Sequence, residues 1–197
     1  MDLAAFLFSL TKSVISLFII VDPLGNIPIF ISLTQGIKET ERRRVFHTAT
    51  ITGFVLLLAF AVAGNEILNI FGVGLPSFMV AGGLLLLILA IRILIGWREE
   101  DRAAPESIGA VPIAVPLLVG PGAITTTILS LQEYGMLVTI SAVIIVFTLT
   151  WLILRYIELL HRVLGRSGSA VIARVMALLI AAIAIQYIIN GLRIFLI

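Results

Sequence analysis

Asp22 stands in "VDPLGNIPIFISL", Val21 to Leu33, where a carboxylate, two prolines, a glycine and an asparagine interrupt an apolar run. Ninety-eight residues later, "VGPGAITTTILSL", Val119 to Leu131, has a proline between two glycines, followed by three threonines. Asp22 followed by Pro23 reads as the N-cap and first position of a half-helix whose free amides the carboxylate satisfies. Gly120-Pro121-Gly122 makes the same turn with no side chain in the way, and uncapped amides at a helix start attract anions. One break thus offers a carboxylate and the other an anion cradle with hydroxyls, a pair suited to a small zwitterionic solute.

Each of these residues also has a plainer reading. Asp22 serves as a cap, as a ligand, or as both, since an intramembrane carboxylate is costly and usually functional. Gly25 and Asn26 belong to the first break, where Asn26 and Pro28 shape the turn and Asn26 has an amide to offer a solute. Consecutive threonines cannot all face one way on a helix, so at most two of the three line a site. Thr125 and Thr126 are favoured, with bonds to their own helix carbonyls as the alternative. Arg92 either snorkels to the membrane interface or pairs with Asp22 or a substrate carboxylate. Gln186 falls mid-span, where it bonds a neighbouring helix or a solute.

Several chemistries are excluded. The absence of cysteine removes disulfides, thiolate metal sites and thiol nucleophiles. His47 and His161 lie near loop ends without carboxylates at ligand spacing, so no metal site is expected. A phosphate-binding G-x-x-x-x-G-K-[ST] element and a Ser-His-Asp constellation are also missing from the sequence. The chain is therefore expected to be neither an ATPase nor any other enzyme, and to need no cofactor. The net charge of +2 comes from arginines in short loops, which membrane topology explains without nucleic acid.

The elements that hold these residues are membrane spans. Of the 197 residues 60% are hydrophobic and 12% charged, with mean hydropathy +1.20, whereas a soluble domain would carry roughly twice that charge. Apolar stretches run over 5–34, 45–64, 75–95, 110–132, 136–157 and 171–196, each long enough for a hydrocarbon core of ~30 Å at ~1.5 Å per residue. The start, Met1-Asp2-Leu3, lacks the basic region of a cleaved signal and reads as the first permanent span. The fold expected is all-α, a polytopic membrane protein of six transmembrane helices. Its units are a first three-helix repeat at 1–96, a polar cytoplasmic linker at 97–109 and a second repeat at 110–197.

Three spans per half force the second half to enter the membrane from the opposite side, so the repeats are inverted. The two proline segments share Val, Pro, Ser and Leu at that offset of 98, and each proline falls at the midplane of its span, breaking the first and fourth helices. A looser match sets "AIRILIG", Ala90 to Gly96, against "AIQYIIN", Ala184 to Asn190. Paired breaks at matching midplane positions point to a secondary transporter's binding site. Lys38, Arg42, Arg43 and Arg44 share one side with Arg98, Arg102, Arg162 and Arg166, which places both termini outside by the positive-inside rule.

At "DPLGNIP" and "GPGAITT" the chain resembles the MarC family of prokaryotic integral membrane proteins, whose named members include small neutral amino acid transporters. The resemblance extends over essentially the whole length. It implies a multi-pass inner-membrane protein that moves glycine, alanine or similar solutes, with protons as a candidate coupling ion. The reading is alternating-access transport. A channel or exporter for another small solute, a membrane-embedded enzyme and a non-catalytic assembly partner are the alternatives, and homo-oligomerisation is left open.

Overall fold

The computed structural model describes residues 3–27, 30, 31, 34, 37–95 and 118–195. Among these, the chain forms six helices: α1 (Leu3–Val21), α2 (Glu39–Ile70), α3 (Leu75–Ile95), α4 (Pro121–Tyr134), α5 (Met136–Arg155) and α6 (Ile157–Phe195). Five stretches are long and apolar enough to cross a membrane: Leu3–Val21, Glu39–Gly64, Leu75–Ile95, Met136–Arg155 and Ser167–Ile194. The expected fourth span is the difference. Its described part, α4, has 14 residues, about 21 Å of helix, which is short of a hydrocarbon core. The linker 97–109, the stretch 110–117 and Pro28 lie outside the described residues.

Two expected loops are helical. The turn expected near Asn65 comes later, because α2 continues to Ile70 and ends at Phe71 and Gly72. Between α5 and the last span there is no open loop. Tyr156 interrupts the helix, and Gly165, at φ 63° and ψ −179°, breaks it again. The intervening two turns, Ile157–Leu164, bury Ile157 and expose Leu159, Arg162 and Val163. Apolar residues at 157, 160 and 164 follow the period of a helix lying on a surface. Gly135, at φ 83°, alone joins α4 to α5, a backbone conformation that favours glycine.

The packing is built on close backbone approach. Helix α3 lies along α6 in the most extensive contact of the molecule. A Cβ on Gly83 would stand 2.7 Å from the Ala184 carbonyl oxygen, and one on Gly191 would stand 2.7 Å from that of Pro76. These contacts make the two helices antiparallel and nearly touching, the arrangement that small residues permit between membrane helices. Helix α2 packs on α5, with Phe54 and Phe147 edge to face at 5.9 Å. Helix α4 is the centre, in contact with α1, α2, α3 and α5. The outer surface is apolar: Leu84, Leu85, Ile88 and Leu178 are all exposed, as lipid-facing residues are.

Polar contacts mark the two ends. At one end Arg42 of α2 pairs with Glu158 at the start of α6. At the other, Ser13 of α1, Ser130 of α4 and Thr139 of α5 form a buried hydroxyl chain, with oxygens 2.6 and 3.0 Å apart. Thr139 donates its one proton to the Gly135 carbonyl, so Ser130 must donate to Thr139 and Ser13 to Ser130.

Candidate functional site

Helix α1 stops at Asp22, which does two jobs at once. Its amide donates to the Phe18 carbonyl at 2.9 Å with φ at 45°, the left-handed closure that ends many helices. Its side chain begins the next turn, Oδ1 accepting the Gly25 amide at 2.9 Å, as an N-cap does. Few side chains serve both purposes, because left-handed backbone suits aspartate and asparagine but few other non-glycine residues. Gly25 is tightly constrained: a Cβ there would lie 2.2 Å from Asp22 Oδ2. Asn26 closes the other side of the break, its amide donating to the Val21 carbonyl at 3.4 Å. Asp22 thus caps the turn at Gly25 and Asn26 caps the end of α1, and both are buried.

Helix α4 starts differently. Its N-cap is Gly120, in extended conformation and with no side-chain cap, and Pro121 stands at the first position. The amides of Ala123 and Ile124 both reach the Gly120 carbonyl, at 3.0 and 3.2 Å. Gly122 is held against α3, since a Cβ there would meet Leu86 at 2.3 Å.

The three threonines fan out from this start, all buried. Thr125 faces α3 at Gly82, where a Cβ would come within 2.3 Å of its hydroxyl. Thr126 donates to Gly122 O at 2.7 Å and lies 2.7 Å from the Tyr187 hydroxyl on α6. Thr127 donates to Ala123 O at 2.8 Å. Back-bonding to the helix is thus made by Thr126 and Thr127, and Thr125 is not without a partner of its own.

The hydroxyl chain gives both breaks a common reference point. Ser13 and Ser130 touch, and Asp22 and Pro121 are each nine residues from them along α1 and α4. Nine residues are about 13.5 Å of helix. The two breaks are thus equally far, along their own helices, from the contact that joins α1 to α4. Val21 and Ile27 beside one break and Val119 and Ala123 beside the other belong to a single buried core, together with Leu86 of α3 and Ile180 and Ala184 of α6.

Arg92 and Gln186 stand apart from this group. Arg92 is exposed in the last turn of α3. Gln186 is exposed as well, and it bonds Asn190 of its own helix at 2.7 Å rather than a neighbouring helix. The residue that α6 turns toward α4 is the next one, Tyr187. Sequence reading missed it, although an aromatic hydroxyl in mid-span is itself a signal of a buried polar contact. Among the described residues no group of histidines and carboxylates could hold a metal ion.

The chain matches the family described as "MarC family integral membrane protein" over residues 7–196. It is 39% identical to a "UPF0056 membrane protein" of Archaeoglobus fulgidus, over 98% of this chain and 96% of that one. It is 36% identical to "UPF0056 membrane protein MJ1677" of Methanocaldococcus jannaschii, over 98% of each chain. With "UPF0056 membrane protein YhcE" of Escherichia coli it shares 36% identity over 92% of this chain and 91% of the relative. No solved structure matches. With several apolar helices of spanning length and a match over nearly its whole length, this multi-pass chain belongs to the MarC family of integral membrane proteins.

Proposed function

We propose that the chain is a secondary transporter for a small zwitterionic solute of the neutral amino acid class, not an enzyme, working by alternating access between two inverted three-helix halves. The observation that carries this reading is that two unlike chain breaks, one bearing the Asp22 carboxylate and the other only glycine, stand equally far along their helices from the Ser13–Ser130 contact. Taking Thr139 as near the membrane surface, each break lies about 13.5 Å below it, within a few ångströms of the middle of a ~30 Å core.

The packing supports the inverted halves. Exchanging α1 with α4, α2 with α5 and α3 with α6 converts the α1–α5 contact into α4–α2 and the α1–α6 contact into α4–α3, all of which occur. The pairs α1–α4, α2–α5 and α3–α6 map onto themselves and are also present. The contacts without a counterpart of similar extent among the described residues, α4–α5 and α5–α6, join helices separated by one residue, Gly135 or Tyr156.

In this reading Asp22 meets the ammonium of the solute or carries a coupling proton, and the start of α4 receives its carboxylate. The Thr126 proton is already given to Gly122, so this hydroxyl must turn away from its own helix to donate to a solute. Both termini face outward and the arginine end faces the cytoplasm of a prokaryotic inner membrane.

The deciding experiment is uptake of labelled alanine or glycine into liposomes holding only the purified protein. Countertransport that saturates and accelerates with unlabelled solute inside is the expected result. Linear, unsaturable flux would indicate a channel, and no flux over protein-free liposomes would reject this substrate class. Reporter fusions at Ile197 active only in the cytoplasm would reverse the orientation.

A further inference from the structure

The arginine end of the bundle has a feature that solute transport does not use. Two adjoining cavities of about 200 and 230 Å³ lie between the start of α2 and the α5–α6 junction, sharing Arg43, Phe46, Leu154 and Arg155 as a common wall. Each is below the ~300 Å³ of a pocket for a drug-sized ligand, a size that suits a phosphate group.

Among the described residues the charge there is unbalanced. Of the five arginines lining the cavities, Arg42 pairs with Glu158 and Arg43 with Glu39. Among the described residues those are the carboxylates of the lining. Arg44, Arg155 and Arg162 have no ion pair among the described residues. Arg155 lies over the Trp151 ring, 5.1 Å from its centroid, and this contact leaves its charge uncompensated. Both ion pairs tether side chains that would otherwise swing freely, which leaves the guanidinium cluster partly preorganised.

The surroundings of the cluster are lipid-like. Phe46, Leu154 and Ile157 form a buried apolar floor. Beside the arginines, Leu152, Leu159 and Val163 are exposed, Val163 at 75%. Exposed aliphatic side chains next to unmatched arginines on a two-turn helix at the end of the bundle form a surface with one part for a phosphate and one for an acyl chain. A soluble anion would use only the first part.

We propose that this end of the molecule binds the phosphate of an anionic phospholipid, seated between α2 and the Ile157–Leu164 helix, with its acyl chains along Leu159 and Val163.

The test uses purified full-length protein in detergent, titrated with phosphatidylglycerol, with phosphatidylcholine, and separately with inorganic phosphate, reading the shift in thermal unfolding and lipid retention by native mass spectrometry. Phosphatidylglycerol is expected to raise the unfolding temperature and to stay bound, and phosphatidylcholine to do neither. Each arginine removed should weaken binding by about fivefold, so the Arg155→Gln/Arg162→Gln double variant should lose most of the shift. Arg193→Gln, at the other end, should keep it. Should the double variant not fold, Arg44→Gln alone carries the same test at the smaller expected effect. Equal shifts with phosphatidylcholine, a full shift in the arginine variants, or an equal loss in Arg193→Gln would each overturn the site. A shift with inorganic phosphate as large as that with phosphatidylglycerol would overturn the lipid assignment and leave a soluble-anion site.

Discussion

The Tyr187 hydroxyl donates to Thr126 Oγ1 across 2.7 Å, because the one proton of Thr126 is already committed to the Gly122 carbonyl. This bond fastens α6 to the first turn of α4. Tyr187→Phe removes a buried donor and should lower stability by about 1 kcal/mol. Thr126→Val should cost more, about 1–3 kcal/mol, since it leaves the phenol without an acceptor. The pair should show a coupling of about 1 kcal/mol in a double-mutant cycle measured by denaturant unfolding in micelles. Strict additivity would mean that the two hydroxyls do not interact.

Asp22 and Gly25 permit a separation of structure from charge. Asn at 22 tolerates the same backbone and still accepts the Gly25 amide, so Asp22→Asn should change stability by less than about 1 kcal/mol. Under the transport proposal it should nevertheless abolish or uncouple flux. Gly25→Ala should do the reverse, keeping the charge but driving the carboxylate off its cap, with a cost of about 1–2 kcal/mol. Unfolding and liposome flux measured on both variants check this. Normal flux in Asp22→Asn would reduce Asp22 to a cap.

Gly83 and Gly168 should respond oppositely to the same change. An alanine at 83 meets the backbone oxygen of Ala184 at 2.7 Å, which cannot move aside, and should destabilise by about 1–3 kcal/mol. At Gly168 the nearest atom, Leu164 Cβ, is an ordinary 3.5 Å away, and alanine should stabilise the helix by up to about 1 kcal/mol. Thermal unfolding of the two variants side by side gives the sign of each.

The hydroxyl chain makes a directional prediction. Ser130→Ala leaves the Ser13 proton without an acceptor and the Thr139 oxygen without a donor, at about 1–3 kcal/mol. Ser13→Ala removes only the outermost donor and should cost less, about 1 kcal/mol. The reverse order in unfolding measurements would mean that the chain donates the other way.

Much of this arrangement is written locally in the sequence. Asp22-Pro23 and Gly120-Pro121 are visible because proline and glycine side by side with a polar or second glycine residue are poor helix formers inside an apolar run, and among the described residues α1 ends at the first and α4 begins at the second. The choice of Gln186 over Tyr187 could not be made locally. Adjacent positions on a helix point about 100° apart, so which of them meets α4 depends on how α6 is rotated against its neighbours. The polar stretch after α5 reads as a loop by composition, yet the spacing of Ile157, Leu160 and Leu164 held a helical period that its charged residues masked. The pairing of Ser13 with Ser130 joins residues 117 apart in the chain, and no local pattern announces it.

That pairing also limits how the protein can handle protons. From Ser13 through Ser130 and Thr139 the bonds all point one way and end on the amide carbonyl of Gly135, a group with no proton of its own to pass on. A conducting wire needs an end that both takes and releases protons, and needs every link to be able to reverse. This chain has neither property. It is a latch with a fixed electrical polarity holding α1, α4 and α5 together, which is why the transport proposal gives the coupling proton to Asp22 rather than to this chain.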